Sequence, residues 1–137
     1  MRGRELIHQL ESGDAEAAME AAKAIIADRI TIPRGKIEKI AGGTGYKDWA
    51  RIAAIYLLGN TRAKKSAGTL ARILEDKAQK EIFREYAAEA LGNIGDPTYL
   101  PLISRVAAET SSPEIRQSCE FALEEIPEAE ARRARSV

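Results

Sequence analysis

His8 and Cys119 are the only histidine and the only cysteine among 137 residues. A hydrolytic zinc site or a nucleophile–histidine relay needs a histidine among further ligands or beside the attacking group. His8 lies in Glu5-Leu6-Ile7-His8-Gln9-Leu10, with no cysteine or second histidine near it, and is expected to be a surface or partly packed side chain. Cys119 holds the position that Ala54 and Ala87 hold in related stretches, so it is expected to be a small core residue. Its neighbour Glu120 has the wrong sign to favour a thiolate. Gly42-Gly43-Thr44-Gly45-Tyr46-Lys47 lacks the Gly-Lys-Ser/Thr order of a phosphate loop and is expected to be a turn between helices. The sequence thus predicts no catalytic residue, no metal site, no cofactor and no small-molecule substrate, and the chain is expected not to be an enzyme.

These residues are positioned by a repeat. Arg84-Glu85-Tyr86-Ala87-Ala88-Glu89-Ala90-Leu91-Gly92-Asn93 reads as an amphipathic helix with a glycine stop, and Asp96-Pro97 opens the next helix. Arg51 to Asn60 is a copy 33 residues earlier, and Arg116 to Leu123 is another 32 later. Ala18 to Ile25 fits the same frame without the arginine. Ala50, Ala54, Leu57 and Leu58 make an apolar stripe that recurs as Phe83, Ala87, Ala90 and Leu91, then as Ile115, Cys119, Ala122 and Leu123. Each such B helix follows an A helix, marked by Leu70, Ile73 and Leu74 and by Ile103, Val106 and Ala107. Asp14 and Ser112-Pro113 are expected to start B helices, and Gly59-Asn60 and Gly92-Asn93 to end them. A period of this length means a stacked array. The predicted fold is an all-α, right-handed superhelix (solenoid) of four helix pairs over residues 1–127, with 128–137 as a charged cap or tail.

The run Ile82-Phe83-Arg84, followed by Tyr86-Ala87-Ala88-Glu89-Ala90-Leu91-Gly92-Asn93-Ile94-Gly95-Asp96-Pro97, resembles the HEAT-like repeats of the phycobilisome-lyase type. The likeness spans roughly Asp14 to Ile126. It implies A helices on the convex side and B helices on the concave side, where such arrays hold a partner. It departs at Ala18, which stands where the arginine recurs, and at the glycine-rich second turn. Deoxyhypusine hydroxylase, another protein of this repeat type, binds iron through paired His-Glu motifs. With one histidine and no His-Glu pair, the sequence sets that activity aside. HEAT-like DNA glycosylases offer a further comparison through Asp48, Trp49 and the basic run Arg62-Ala63-Lys64-Lys65. Zero formal net charge, 5% aromatic residues and the short array argue against nucleic acid.

Composition agrees with a cored helical domain: 45% hydrophobic, 31% charged, and no 18-residue apolar run, so no membrane span is expected and a cytoplasmic location is the default. Charge is uneven, with eight Lys/Arg against three Asp/Glu from Lys47 to Lys80, and six against eleven from Glu81 to Val137. That asymmetry could orient a partner or a second copy. Arg51, Arg84 and Arg116 recur at one helical position, where guanidinium groups either bind acidic partners or tie helix pairs together. The B-helix face outside the core stripe carries Met19 and Lys23, then Ile52, Ile55 and Tyr56, then Glu85 and Glu89, then Gln117 and Phe121. Helix Trp49 to Leu58 is apolar nearly all round, so either curvature covers it or it is a partner site. The function expected from these residues is a non-catalytic protein–protein interaction scaffold. Its partner-binding residues would be Met19, Lys23, Trp49, Ile52, Ile55, Tyr56, Glu85, Glu89, Gln117 and Phe121, and its partner another protein or a second copy. The alternatives are an accessory subunit of bilin lyase or phycobilisome-maintenance proteins and, more remotely, a nucleic-acid binder.

Overall fold

A computed structural model describes residues 2–136. Eight α-helices run in order, and no strand occurs among the described residues. They are α1 (Arg2–Ser12), α2 (Ala15–Ala27), α3 (Arg34–Gly42), α4 (Asp48–Asn60), α5 (Ala67–Glu75), α6 (Glu81–Ile94), α7 (Leu100–Glu109) and α8 (Pro113–Arg135). Each odd helix packs on the even helix that follows, giving four pairs. The even helices also stack extensively on one another, α2 on α4, α4 on α6 and α6 on α8, whereas the odd helices touch only lightly. Closer packing in the B layer puts it on the inside of the curve. The all-α solenoid expected from the repeat is the observed fold.

The local signals explain the helix starts. Asp14 accepts a hydrogen bond from the Ala17 N–H at 2.8 Å, and Ser112 Oγ accepts one from the Ile115 N–H at 3.2 Å, satisfying free first-turn donors. Asp96 accepts from the Thr98 N–H at 3.0 Å, capping a short 3-10 turn (Pro97–Tyr99) that leads into α7. The glycine-rich stretch after α3 is an interhelical turn, with Gly45 at φ 88°.

Helix α4 ends at Asn60 as expected, and α6 runs one residue past Asn93, to Ile94; Gly59 and Gly92 themselves are helical and do not take the left-handed position. A Cβ on Gly59 would sit 2.7 Å from both Cα and Cβ of Ala90, and one on Gly92 would sit 3.0 Å from Ala122 Cα. These glycines let neighbouring B helices come into backbone contact. The residue that does end α6 is Gly95, left-handed at φ 76°. Helix α8 also runs on through Pro127 to Arg135, so the expected boundary after residue 127 falls inside it. Proline there removes one intrahelical hydrogen bond. Burial of Ile126 and Ala129, and a 2.9 Å bond from Arg133 Nη2 to the Gly95 carbonyl, hold the last turns down.

The three recurring arginines take the structural role. Arg51 Nε donates to the Ala41 carbonyl at 3.0 Å, Arg84 Nε to Leu74 at 2.8 Å, and Arg116 Nη2 to Thr110 at 2.5 Å. Each closes the otherwise unsatisfied carbonyl end of its own pair's A helix. Among the described residues one core group lacks a partner: Ser66 Oγ is buried without a hydrogen bond. A buried hydroxyl left unpaired costs about 1–3 kcal/mol of desolvation. Ser66→Ala is therefore expected to stabilise the protein by about 1 kcal/mol, seen as a higher midpoint in urea unfolding.

Candidate functional site

The concave face is built from the exposed flanks of α4, α6 and α8, and the residues expected there do not fare alike. Ile55 is 0% exposed and cannot meet a partner. Helix α4 is enclosed by α2, α3 and α6, and α1 leans on it as well, so its all-round apolar character is core packing. Trp49 is committed to the joint between the first two pairs: its Nε1–H donates to the Gly13 carbonyl at 2.7 Å, and the Lys47 ammonium lies 5.3 Å from its ring. Met19, Ile52 and Tyr56 are half-buried against the core, and Lys23 is exposed.

The remaining four come together. Glu85, Glu89, Gln117 and Phe121 line one groove of about 410 Å³ between α6 and α8, with Asn93, Glu114 and Ser118. A smaller recess between α4 and α6 adjoins it through Glu89 and Asn93, and is lined by Tyr56, Asn60 and Tyr86 as well. Phe121 is 41% exposed, one of the two most exposed large apolar side chains. Tyr86 and Glu114 were not expected on this face. Tyr86 stood inside the repeat motif, and Glu114 sits in the first turn of α8, where acidic residues are ordinary helix starters.

Three carboxylates on one face set the electrostatics. Partial burial, and then the neighbouring charges of Glu114, Glu81 and Glu89, raise the Glu85 pKa above the usual glutamate value. Tyr86 is raised too, by burial first and then by Glu89, Glu85 and Tyr56. Glu89 has the Ser118 hydroxyl at 3.4 Å from its Oε1, and Glu114 has the Ser112 hydroxyl at 3.2 Å from its Oε2, but no cation pairs with Glu85, Glu89 or Glu114 among the described residues. A field of this sign is relieved by a cation, and the aromatic rings beside it suit an alkyl chain carrying that cation.

No group of three or more His, Cys, Asp or Glu side chains that could hold an ion occurs among the described residues. His8 is on α1, its Nε2 3.3 Å from the Ser12 hydroxyl. Cys119 is buried, with its thiol pushed up to about 11 by burial. No helix among the described residues is long and apolar enough to cross a membrane.

Comparison with known proteins corrects the functional expectation. The chain is similar to deoxyhypusine hydroxylase of Candida albicans, 44% identical over 71 residues, covering 52% of this chain and 22% of that protein. The enzyme of Saccharomyces cerevisiae is 37% identical over the same length. Deoxyhypusine hydroxylase-B of Oryza sativa subsp. japonica is 29% identical over 120 residues, 87% of this chain and 39% of that protein. The chain thus spans between about a fifth and two-fifths of the curated relatives it matches. These relatives are named as enzymes, which overturns the expectation of a non-catalytic scaffold. The phycobilisome-lyase part of the resemblance finds no counterpart among them. A single histidine, His8, shows only that the paired His-Glu motif is missing from this sequence and says nothing of similarity elsewhere in it. The model for HEAT repeats matches residues 44–124, more than half of the chain. With its four stacked helix pairs and that match, the chain belongs to the HEAT-repeat family.

Proposed function

We propose that this chain works as part of an enzyme of the deoxyhypusine hydroxylase type, and that its α6–α8 groove takes up the cationic side chain of a protein substrate. The observation that carries this is the joining of Glu85, Glu89 and Glu114 in one groove beside an exposed aromatic ring. Similarity to the hydroxylases supplies the chemical class. Deoxyhypusine is a lysine lengthened by an aminobutyl group, so it offers two protonated nitrogens joined by methylenes. Carboxylates bind those nitrogens through charge-assisted hydrogen bonds, and Phe121 and Tyr86 can cover the methylenes. The described residues do not fit the iron site that paired His-Glu motifs build, so no oxidative step is drawn through them. What they supply is recognition and orientation.

Calorimetry with two peptides tests this, one carrying deoxyhypusine and one an unmodified lysine. The deoxyhypusine peptide is expected to bind more tightly. Glu85→Gln with Glu89→Gln is expected to weaken it about tenfold or more, since hydrogen bonds to charged groups contribute about 1.5–3 kcal/mol. Equal affinity for the two peptides, or an unaffected double variant, rejects the proposal. Stability gives an independent signature. A carboxyl whose folded pKa is raised stabilises the fold below its unfolded pKa, and that contribution is lost as pH rises through the folded value. Glutamine keeps the neutral form at every pH. Glu85→Gln alone should therefore raise the thermal midpoint at neutral pH and leave it unchanged in acid, so that a residue whose removal weakens binding also strains the fold.

A further inference from the structure

A helix that closes on a left-handed residue favours glycine there, because a side chain crowds the following carbonyl. Three B helices close this way in one register. The residues are Arg29, Arg62 and Gly95, at φ 50°, 53° and 76°. In the first two the chain turns back fully: the Ile30 N–H donates to the Ile25 carbonyl and the Ala63 N–H to the Leu58 carbonyl, both at 3.0 Å. Glycine serves at position 95, yet arginine occupies the strained position twice. Strain of this kind persists only where the surrounding structure imposes it, and such positions cluster at functional sites.

Both arginines line one groove of about 510 Å³ at the ends of α2 and α4, with Asn60, Thr61 and Asn93 beside them. No carboxylate lines it, although each of the other four grooves has at least one. Asp28, next to Arg29 in the chain, is held by Arg2 at 2.5 Å. Neither the Arg29 nor the Arg62 guanidinium makes an ion pair with a described residue. Two planar cations from different helix ends suit a dianion with several terminal oxygens better than a single carboxylate. We propose that this groove binds a phosphate group, with Arg29 and Arg62 as its charged donors and the Asn93 amide as a neutral one.

Amide NMR titration of the full chain at constant ionic strength tests this, with inorganic phosphate in one arm, a nucleoside monophosphate in a second and acetate in a third. Both phosphate arms are expected to shift the amides around residues 29–30 and 60–63, with acetate at least tenfold weaker. The tighter of the first two arms tells a free ion from an ester. Arg29→Gly with Arg62→Gly should weaken phosphate at least tenfold while raising the thermal midpoint, since glycine relieves the strained backbone. Shifts spread equally over Lys64, Lys65, Lys77 and Lys80, undiminished binding in the double variant, or a lowered midpoint that assigns the arginines to packing would each overturn the proposal.

Discussion

Gly59→Ala is expected to destabilise the protein by about 2 kcal/mol, although alanine is the better helix former by about 1 kcal/mol. The new Cβ would meet Ala90 Cα and Cβ at 2.7 Å, closer than real contacts allow. Neither atom can turn aside, because one is backbone and the other is fixed to it. Helices α4 and α6 must then separate along their shared contact, and overpacking of a tight core costs about 1–3 kcal/mol. For a chain of this size the thermal midpoint should fall by roughly 5–10 °C. Gly35 provides the control. It lies in α3 with nothing within 4 Å of its would-be Cβ, so Gly35→Ala should stabilise by about 0.5–1 kcal/mol. If both substitutions stabilise alike, the close approach at Gly59 is not a constraint on the fold.

Arg51→Ala is the second large effect, at about 3 kcal/mol. Its Nε holds the Ala41 carbonyl at the end of α3, and its Nη2 reaches Gln79 Oε1 in the next pair, both at 3.0 Å. The same guanidinium lies 4.0 Å from the centre of the Phe83 ring. One side chain thus closes its own A helix and grips the following repeat. Burial lowers its pKa, only partly offset by Asp48, so this cation rests on its neighbours more than on water. Lysine has one compact ammonium in place of the planar fork that spans both acceptors and lies over the ring, so Arg51→Lys should recover less than half of the loss. A double-mutant cycle with Phe83→Leu should return a coupling above about 0.5 kcal/mol. Full rescue by lysine, or additive substitutions, would reduce Arg51 to an ordinary surface charge.

Much of this architecture can be read from the chain. Arg51 and Arg84, the alanine stripes and the caps at Asp14 and Ser112 are local signals, and they specify helix pairs and their repeat without reference to anything distant. What was misread depends on neighbours. Gly59 and Gly92 read only as helix-end residues, and their packing role shows once Ala90 and Ala122 are known to stand opposite them. Ile55 looks available until α4 is seen enclosed by α2, α3 and α6. Pro127 looks terminal unless Arg133 is known to reach Gly95. The groove was half legible for the same reason: Glu85 and Glu89 declare themselves on α6, whereas Glu114 joins them only through the stacking of α8 on α6. The similarity to deoxyhypusine hydroxylases was not legible from chemistry, because the lone His8 speaks only to one ligand motif.

The contacts at Gly59 and Gly92 also determine how the array can flex. Backbone touches backbone along the B layer, while the A helices meet only lightly. Bending therefore works like a door hinged on its inner edge: the outer layer opens and closes, and the hinge line hardly moves. The groove holding Glu85 of α6 and Glu114 of α8 lies between two helices of that closely packed layer, so its width is expected to vary less than the spacing of the A helices.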